Sequence, residues 1–123
     1  MEYASLTLAF IGDAVFELEI RKHFVNKGIN KVNLLQTKTS KFASAIMHKQ
    51  IMDYLLENNL LTEEEITVYK RGRNAKVNTK RKNFNPENYH ASTGFEALIG
   101  FLYLNKNNTR IDQIITQVLE RFE

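Results

Sequence analysis

Residues 94–104 have the sequence GFEALIGFLYL, an apolar run with one carboxylate, Glu96, inside it. Residues 8–16, LAFIGDAVF, show the same pattern around Asp13. Removing an ionised carboxylate from water costs several kcal/mol unless a partner or a metal ion compensates. Two such positions, in the most core-like segments of one chain, indicate that the two carboxylates act together.

Apolar residues recur at helical spacing along the whole chain, and no alternating strand pattern competes with it. The first helix is predicted to reach about Phe24 and to end near Gly28, with these residues on one side: Leu6, Ala9, Phe10, Phe16 and Ile20. Further helices are predicted over Lys31 to about Lys38, after a Ser40 cap, from a Thr62/Glu65 capping box toward Tyr69, from Asn85-Pro86, and after a Thr109/Asp112 cap. The sequence therefore predicts an all-α fold.

Two glycines, Gly12 and Gly100, lie inside predicted helices, where glycine costs about 1 kcal/mol relative to alanine. Each lies within four residues of Asp13 or Glu96. We interpret them as sites of close helix–helix packing. That packing would let the helices of Asp13 and Glu96 approach each other closely.

Length and composition favour a single domain over residues 1–123. The chain has no cysteine, which excludes disulfides and cysteine-bound zinc. The longest apolar run, Ala97 to Leu104, is far shorter than the roughly 20 residues of a membrane span. Glu2 lies where a secretory signal would carry basic residues. We therefore expect a soluble cytoplasmic protein without a membrane partner.

Positive charge is concentrated in one segment, Lys70 to Lys82, which has seven basic residues and no acid. The rest of the chain has ten basic and fourteen acidic residues, a net charge of −4. A basic cluster on an acidic body indicates a localised site for a polyanion. The alternative is a solvated loop, and the polar stretch from Lys70 to about Asn85 is predicted to be a loop in either case.

The two carboxylates also have alternatives. Asp13 could be a surface residue on the same stripe as Glu17, and Glu96 could be a buried carboxylate paired with a basic group. If both point inward, they form the minimal cage for a hard cation that keeps several waters, and magnesium held in this way catalyses phosphodiester chemistry. The histidines, His23, His48 and His90, show no metal-ligand spacing and are expected to be surface or packing residues.

Three motifs resemble those of the ribonuclease III family. FIGDAV at residues 10–15 resembles the family signature, and FEALIG at residues 95–100 resembles its second acidic motif. KRGRNAK at residues 70–76, together with Ser92-Thr93, narrows the resemblance to the Mini branch, which lacks a double-stranded-RNA-binding domain. The resemblance covers essentially the whole chain.

The resemblance implies a helical homodimer that hydrolyses double-stranded RNA with Mg²⁺, or with Mn²⁺ as a substitute, and leaves 5′-phosphate and 3′-hydroxyl ends. It also implies precursor 23S ribosomal RNA as the substrate, and it leaves a ribosomal-protein helper open. Asp13 and Glu96 match the two catalytic, metal-binding acids, and Phe10 matches an aromatic residue of the dimer interface. The residues expected to bind RNA are Arg71, Arg73, Asn74, Lys76, Lys80, Arg81 and Lys82.

The chain departs from the family pattern at three positions. Larger members have a further acid three or four residues before each catalytic acid, where this chain has Ala9 and Thr93. Ile46 stands where a lysine usually follows the Ser44-Ala45 pair, and Lys49 or Lys38 could substitute. Two other functions therefore stay open: a non-catalytic RNA-binding or assembly factor, and a purely structural helical dimer.

Overall fold

The computed structural model describes residues 2–76 and 85–123, and these residues form six α-helices without a strand. The helices are α1 (Ser5–Asn26), α2 (Val32–Ser40), α3 (Ala45–Glu57), α4 (Glu63–Arg73), α5 (Pro86–Leu104) and α6 (Asn108–Phe122). The prediction of an all-α fold is confirmed. Within the described residues, none of the helices is long and apolar enough to cross a membrane.

Two of the predicted helix starts are confirmed. Thr62 caps α4 in a capping box, because the Glu65 backbone N–H donates to Thr62 Oγ1 over 3.1 Å and the Thr62 N–H donates to Glu65 Oε1 over 2.9 Å. Asn85 caps α5, and its Oδ1 accepts from the Asn88 N–H over 3.1 Å. Pro86 occupies the first turn, where its missing N–H costs nothing.

Two predicted caps are wrong. Ser40 ends α2, and the residue that caps α3 is Ser44, whose Oγ accepts from the Met47 N–H over 3.1 Å. The turn between them buries Phe42 in the core, and that burial decides which serine begins the helix. Likewise α6 begins two residues earlier than predicted, capped by Asn107.

The central element is α5, which is buried nearly all round from Ala91 to Leu102. It packs against α1, α4 and α3, and its Phe95 ring meets the Phe16 ring of α1 edge-on at 4.9 Å between centroids. A helix that is apolar on all sides belongs in the middle of a fold. Every neighbouring helix is therefore positioned relative to the segment that carries Glu96.

Gly12 and Gly100 bring the backbones of α1 and α5 into contact, as predicted. A Cβ at Gly12 would overlap the carbonyl oxygen of Glu96 and lie 2.8 Å from the Gly100 nitrogen. A Cβ at Gly100 would overlap the carbonyl oxygen of Leu8. Only hydrogen fits at these two positions, so the helix that carries Asp13 lies directly on the helix that carries Glu96.

The predicted inner face of α1 is partly wrong. Ala9, Phe16 and Ile20 are buried as predicted, but Leu6 and Phe10 point outward. The buried side of the helix consists of Leu8, Ala9, Gly12, Phe16, Ile20 and Phe24. Because α1 carries apolar residues on two sides, helical spacing alone could not distinguish the core side from the other.

Candidate active site

The fold brings Asp13 and Glu96 together, although they are far apart in the chain. Asp13 follows Gly12, whose close contact is with the backbone of Glu96 itself, and the two carboxyl groups are hydrogen-bonded to each other. Asp13 is exposed and Glu96 is half-buried. The pair therefore opens to solvent at the α1–α5 contact.

The pKa of Glu96 differs from that of an isolated surface carboxylate. Burial, the hydrogen bond with Asp13 and the negative charge of Asp13 together raise the pKa of Glu96 to about 8. Among the described residues, neither carboxylate forms an ion pair with a lysine or an arginine. At neutral pH Glu96 therefore keeps its proton beside Asp13, and a divalent cation could take the place of that proton.

The donor set suits a hard cation that keeps several of its own waters. Carboxylate oxygens are the ligands that Mg²⁺ prefers, usually one or two of them with water and substrate phosphate. In the part of the chain that the structure describes, no group of three His, Cys, Asp or Glu side chains could hold a metal ion. Ala9 and Thr93, two of the positions where the chain departs from the resemblance, are buried, and Thr93 Oγ1 donates to the Tyr89 carbonyl over 3.1 Å.

Neither of the two substitute lysines lies at the acid pair. Lys49 Nζ pairs with Asp53 at 2.8 Å and with Glu87 at 3.5 Å. Glu87 precedes Glu96 by nine residues, which is roughly 13 Å along a helix. Lys38 Nζ lies over the Phe24 ring, 5.9 Å from its centroid. The exposed Ile46 leaves the pair without a cationic partner from α3.

The basic segment begins in a helix, which corrects the prediction of a loop from Lys70. α4 continues to Arg73, so its last turn carries Lys70, Arg71 and Arg73. Gly72, between the two arginines, packs on α5, where a Cβ would lie 2.8 Å from the Ala97 Cβ and 3.3 Å from the Thr93 carbonyl oxygen. Because these two α5 residues flank Glu96, the basic end of α4 lies within about one helical turn of it.

Some of the predicted RNA-binding residues lie within the described residues and some lie outside them. Arg71 is exposed and lies 3.7 Å from Glu2. Arg73 lies over the Tyr69 ring at 5.6 Å and donates to Asn74. Lys76 ends the first described range. The remaining three, Lys80, Arg81 and Lys82, lie outside the described residues.

Phe10 lies on the outer side of α1, with 79% of its surface exposed. Leu6 and Leu18 are also exposed on this helix, and Tyr103 is exposed on the neighbouring α5. Leu6 was predicted to face the core, Tyr103 was predicted to lie in a buried run, and Leu18 was not singled out. The sequence signal that could have found all three is their spacing, since each is an apolar residue about one or two helical turns from Phe10 or Glu96.

His48 is a packing residue, one of the two roles expected for the histidines, but the sequence did not predict that it lies near Asp13. It was expected at the surface or in packing, and it is buried beneath the acid pair, close enough to interact with the charge of Asp13. It lines a small cavity of about 30 Å³ together with other residues, among them Asp13, Glu17, Thr39 and Ala43. No sequence spacing signals this position.

The family profile and the curated relatives point to one family, and a solved structure shares the fold. Residues 6–107 match the family profile described as the Ribonuclease III domain. A protein of Streptococcus pneumoniae named Mini-ribonuclease 3 is 39% identical over 118 residues, which covers 96% of this chain and 92% of the relative. A Staphylococcus aureus protein of the same name is 41% identical over 114 residues, covering 93% and 85%. The crystal structure of a Fusobacterium nucleatum protein matches with a TM-score of 0.84 at 34% identity, covering 97% of this chain and 93% of that one.

Proposed function

This chain belongs to the ribonuclease III family and to its Mini-ribonuclease 3 branch, and from that premise we propose that it is an endoribonuclease that cuts double-stranded RNA in an active site formed by Asp13 and Glu96. The observation that carries the assignment of the site is the contact between these two carboxyl groups across the α1–α5 packing. A fold that holds two acids together without a basic partner has a use for their combined negative charge.

The chemistry that we propose is hydrolysis assisted by Mg²⁺, or by Mn²⁺ in its place. When bound, the ion would supply an activated water and would stabilise the charge that develops on the scissile phosphate. Asp13 and Glu96 would hold it. Because the pKa of Glu96 is about 8 when the pair is without a cation, binding of the ion requires Glu96 to give up its proton.

The basic segment supplies the surface for the RNA backbone. An A-form duplex has a deep, narrow major groove that side chains cannot enter, so recognition rests on phosphates, 2′-hydroxyls and shape. Arg71 and Arg73 lie in the last turn of α4, beside the α5 turn that carries Glu96. This placement supports a path for the duplex across the basic end of α4 and the acid pair. Phosphate contacts of this kind give affinity that depends strongly on salt.

We expect the triple variant Arg71→Ala, Arg73→Ala, Lys76→Ala to bind duplex RNA more weakly. The slope of log affinity against log salt should fall by about one unit for each phosphate contact removed. Binding of a fluorescent duplex at several salt concentrations measures both effects. The triple variant Lys22→Ala, Lys31→Ala, Arg121→Ala, which removes three exposed basic residues elsewhere, is the control for net charge. An unchanged slope in the Arg71, Arg73 and Lys76 variant would move the RNA surface elsewhere.

We propose that the protein acts as a homodimer formed through the outer side of α1. Phe10, Leu6 and Leu18 are exposed apolar residues on that side, and Tyr103 adds to it from α5. Exposed apolar patches of this kind mark interaction surfaces. Because Asp13 follows Phe10 by three residues, a two-fold axis there would place two acid pairs on one surface, matching the two antiparallel strands of a duplex.

Phe10→Glu should therefore convert the dimer into a monomer, because two-fold symmetry places the new charge in the interface twice. Sedimentation equilibrium measures the change in mass. Leu34→Glu makes the same change at an exposed apolar residue of α2 and should leave the dimer intact. A Phe10→Glu protein that stays dimeric would exclude this face as the interface.

The substrate that we propose is the duplex stem of precursor 23S ribosomal RNA, which places the protein in the cytoplasm, with a ribosomal-protein helper as a candidate partner. The test is incubation of the protein with such a stem and Mg²⁺, followed by mapping of the product ends. Cuts on both strands that leave 5′-phosphate and 3′-hydroxyl ends support the proposal. Products with 2′,3′-cyclic phosphates would contradict it, because they arise without an added water.

A non-catalytic RNA-binding or assembly factor is the second candidate, and the buried Ala9 and Thr93 are the observation that favours it, since they leave the site with two acids. This function predicts RNA binding without cleavage at any Mg²⁺ or Mn²⁺ concentration. The same incubation distinguishes the two candidates.

A further inference from the structure

His48 lies in the core between the two helices that carry the acid pair, and both of its ring nitrogens have partners. Nδ1 is 2.6 Å from Ser92 Oγ, and Nε2 is 2.8 Å from the carbonyl oxygen of Phe42. A carbonyl oxygen only accepts, so Nε2 carries the proton and donates. In the neutral ring, Nδ1 then accepts from the Ser92 hydroxyl.

The ring also contacts an aromatic residue from each acid-bearing helix. The Phe16 ring meets it edge-on at 5.4 Å, and the Phe95 ring lies at 5.2 Å. Phe16 follows Asp13 by three residues, and Phe95 directly precedes Glu96. One side chain therefore contacts α1 beside the first acid and α5 beside the second.

Ser92 makes the link to Glu96 specific. It precedes Glu96 by four residues on α5, which places it one turn away on the same side of the helix. The hydrogen bond from Ser92 to His48 resists rotation of α5 about its own axis. The second hydrogen bond, to the Phe42 carbonyl, joins the ring to the turn between α2 and α3. The side chain is therefore held by contacts with α1, with α5 and with this turn.

We propose that His48 is a positioning residue that holds Asp13 and Glu96 at the separation needed for cleavage. It touches neither the scissile phosphate nor the cation, and it acts through Ser92 and the two phenylalanines. Burial lowers the pKa of His48, which keeps the ring neutral and preserves the hydrogen-bond pattern described above. This inference rests on the proposed endoribonuclease function.

Four variants separate positioning from simple packing. His48→Phe keeps a ring and loses both hydrogen bonds, and Ser92→Ala removes one from the other side. His48→Asn keeps an oxygen near the Nδ1 position that can accept from Ser92, and His48→Gln keeps a donor near Nε2 for the Phe42 carbonyl. We expect His48→Phe and Ser92→Ala to lower kcat about tenfold to a hundredfold, since small misplacements cost this much, with KM for duplex RNA unchanged.

Two further readouts complete the test. Isothermal titration with Mn²⁺ should show weaker binding in His48→Phe and in Ser92→Ala, and His48→Asn should recover more activity than His48→Gln. Leu119→Ala, in the α6 core, is the control and should lower the melting temperature without changing kcat well below it. Wild-type kcat and Mn²⁺ affinity in Ser92→Ala would overturn the proposal. If wild-type protein cuts no duplex RNA, the proposed function fails, and the Mn²⁺ titration still decides the role of His48.

Discussion

Replacing Glu96 with glutamine should lower RNA cleavage by at least about a thousandfold, because the cation it helps to hold is worth several kcal/mol in the transition state. Glutamine has the same shape but cannot replace a carboxylate as a hard-cation ligand. The measurement is the single-turnover cleavage rate of a duplex RNA in Mg²⁺. Asp13→Asn should have a comparable effect. If both variants cut at the wild-type rate, the assigned site is wrong.

The same substitution should stabilise the metal-free protein, which distinguishes it from a folding defect. Burial beside Asp13 raises the pKa of Glu96 from 4.5 to about 8, so the folded state keeps a proton that the unfolded chain loses. The wild-type stability is therefore fully present below the ordinary pKa and declines as the pH rises toward about 8. Glutamine does not ionise, so the variant should gain in melting temperature over wild type across that range.

The control for both effects is Glu120→Gln, which makes the same side-chain change at an exposed position of α6. It should leave the cleavage rate and the pH dependence of stability unchanged. A Glu96→Gln protein that melts lower than wild type at every pH would contradict the geometry of the acid pair described above.

Gly12→Ala should have the second large effect, and its sign opposes helix propensity. Alanine in a helix is favoured by about 1 kcal/mol over glycine, which alone would raise stability. At Gly12 the added methyl group would overlap the carbonyl oxygen of Glu96, and a backbone atom cannot rotate away. We expect a loss of about 3 kcal/mol or more in the free energy of unfolding, at the upper end of the range for overpacking.

The cleavage rate of Gly12→Ala should fall as well, because separating α1 from α5 separates Asp13 from Glu96. Urea denaturation and the single-turnover rate measure the two effects. Thr116→Ala, on the exposed side of α6, is the control for propensity and should raise stability slightly. A Gly12→Ala protein more stable than wild type would mean that the two backbones are not in contact.

The sequence predicted where helices form better than it predicted which face of each helix is buried. The Thr62/Glu65 capping box and the Asn85-Pro86 start are confirmed because both depend on residues within one turn of each other. The Ser40 cap is wrong because Ser44 is equally suited to cap a helix, and the burial of Phe42 chooses between them. That choice depends on residues of α1 that the local sequence does not contain.

Among the residues of the site, too, some were identifiable from the local sequence and others depended on contacts between distant segments. Asp13 and Glu96 were identifiable because a carboxylate in an apolar run is costly and therefore informative. His48 was not, since a histidine on a helix has many ordinary roles, and its partners are distant in the chain. The outward position of Phe10 was expected from resemblance, whereas the helical period had assigned it to the core.

By itself, the sequence determined the helical period, the starts of α4 and α5, the two acids and the charge of the basic segment, because these depend on residue type and near neighbours. The tertiary structure decided which side of α1 is covered, that Gly12 rests on the backbone of Glu96, and that the pKa of Glu96 rises to about 8. These properties arise from desolvation and contact between segments more than 80 residues apart. No local pattern encodes them, because each depends on what the other helix presents.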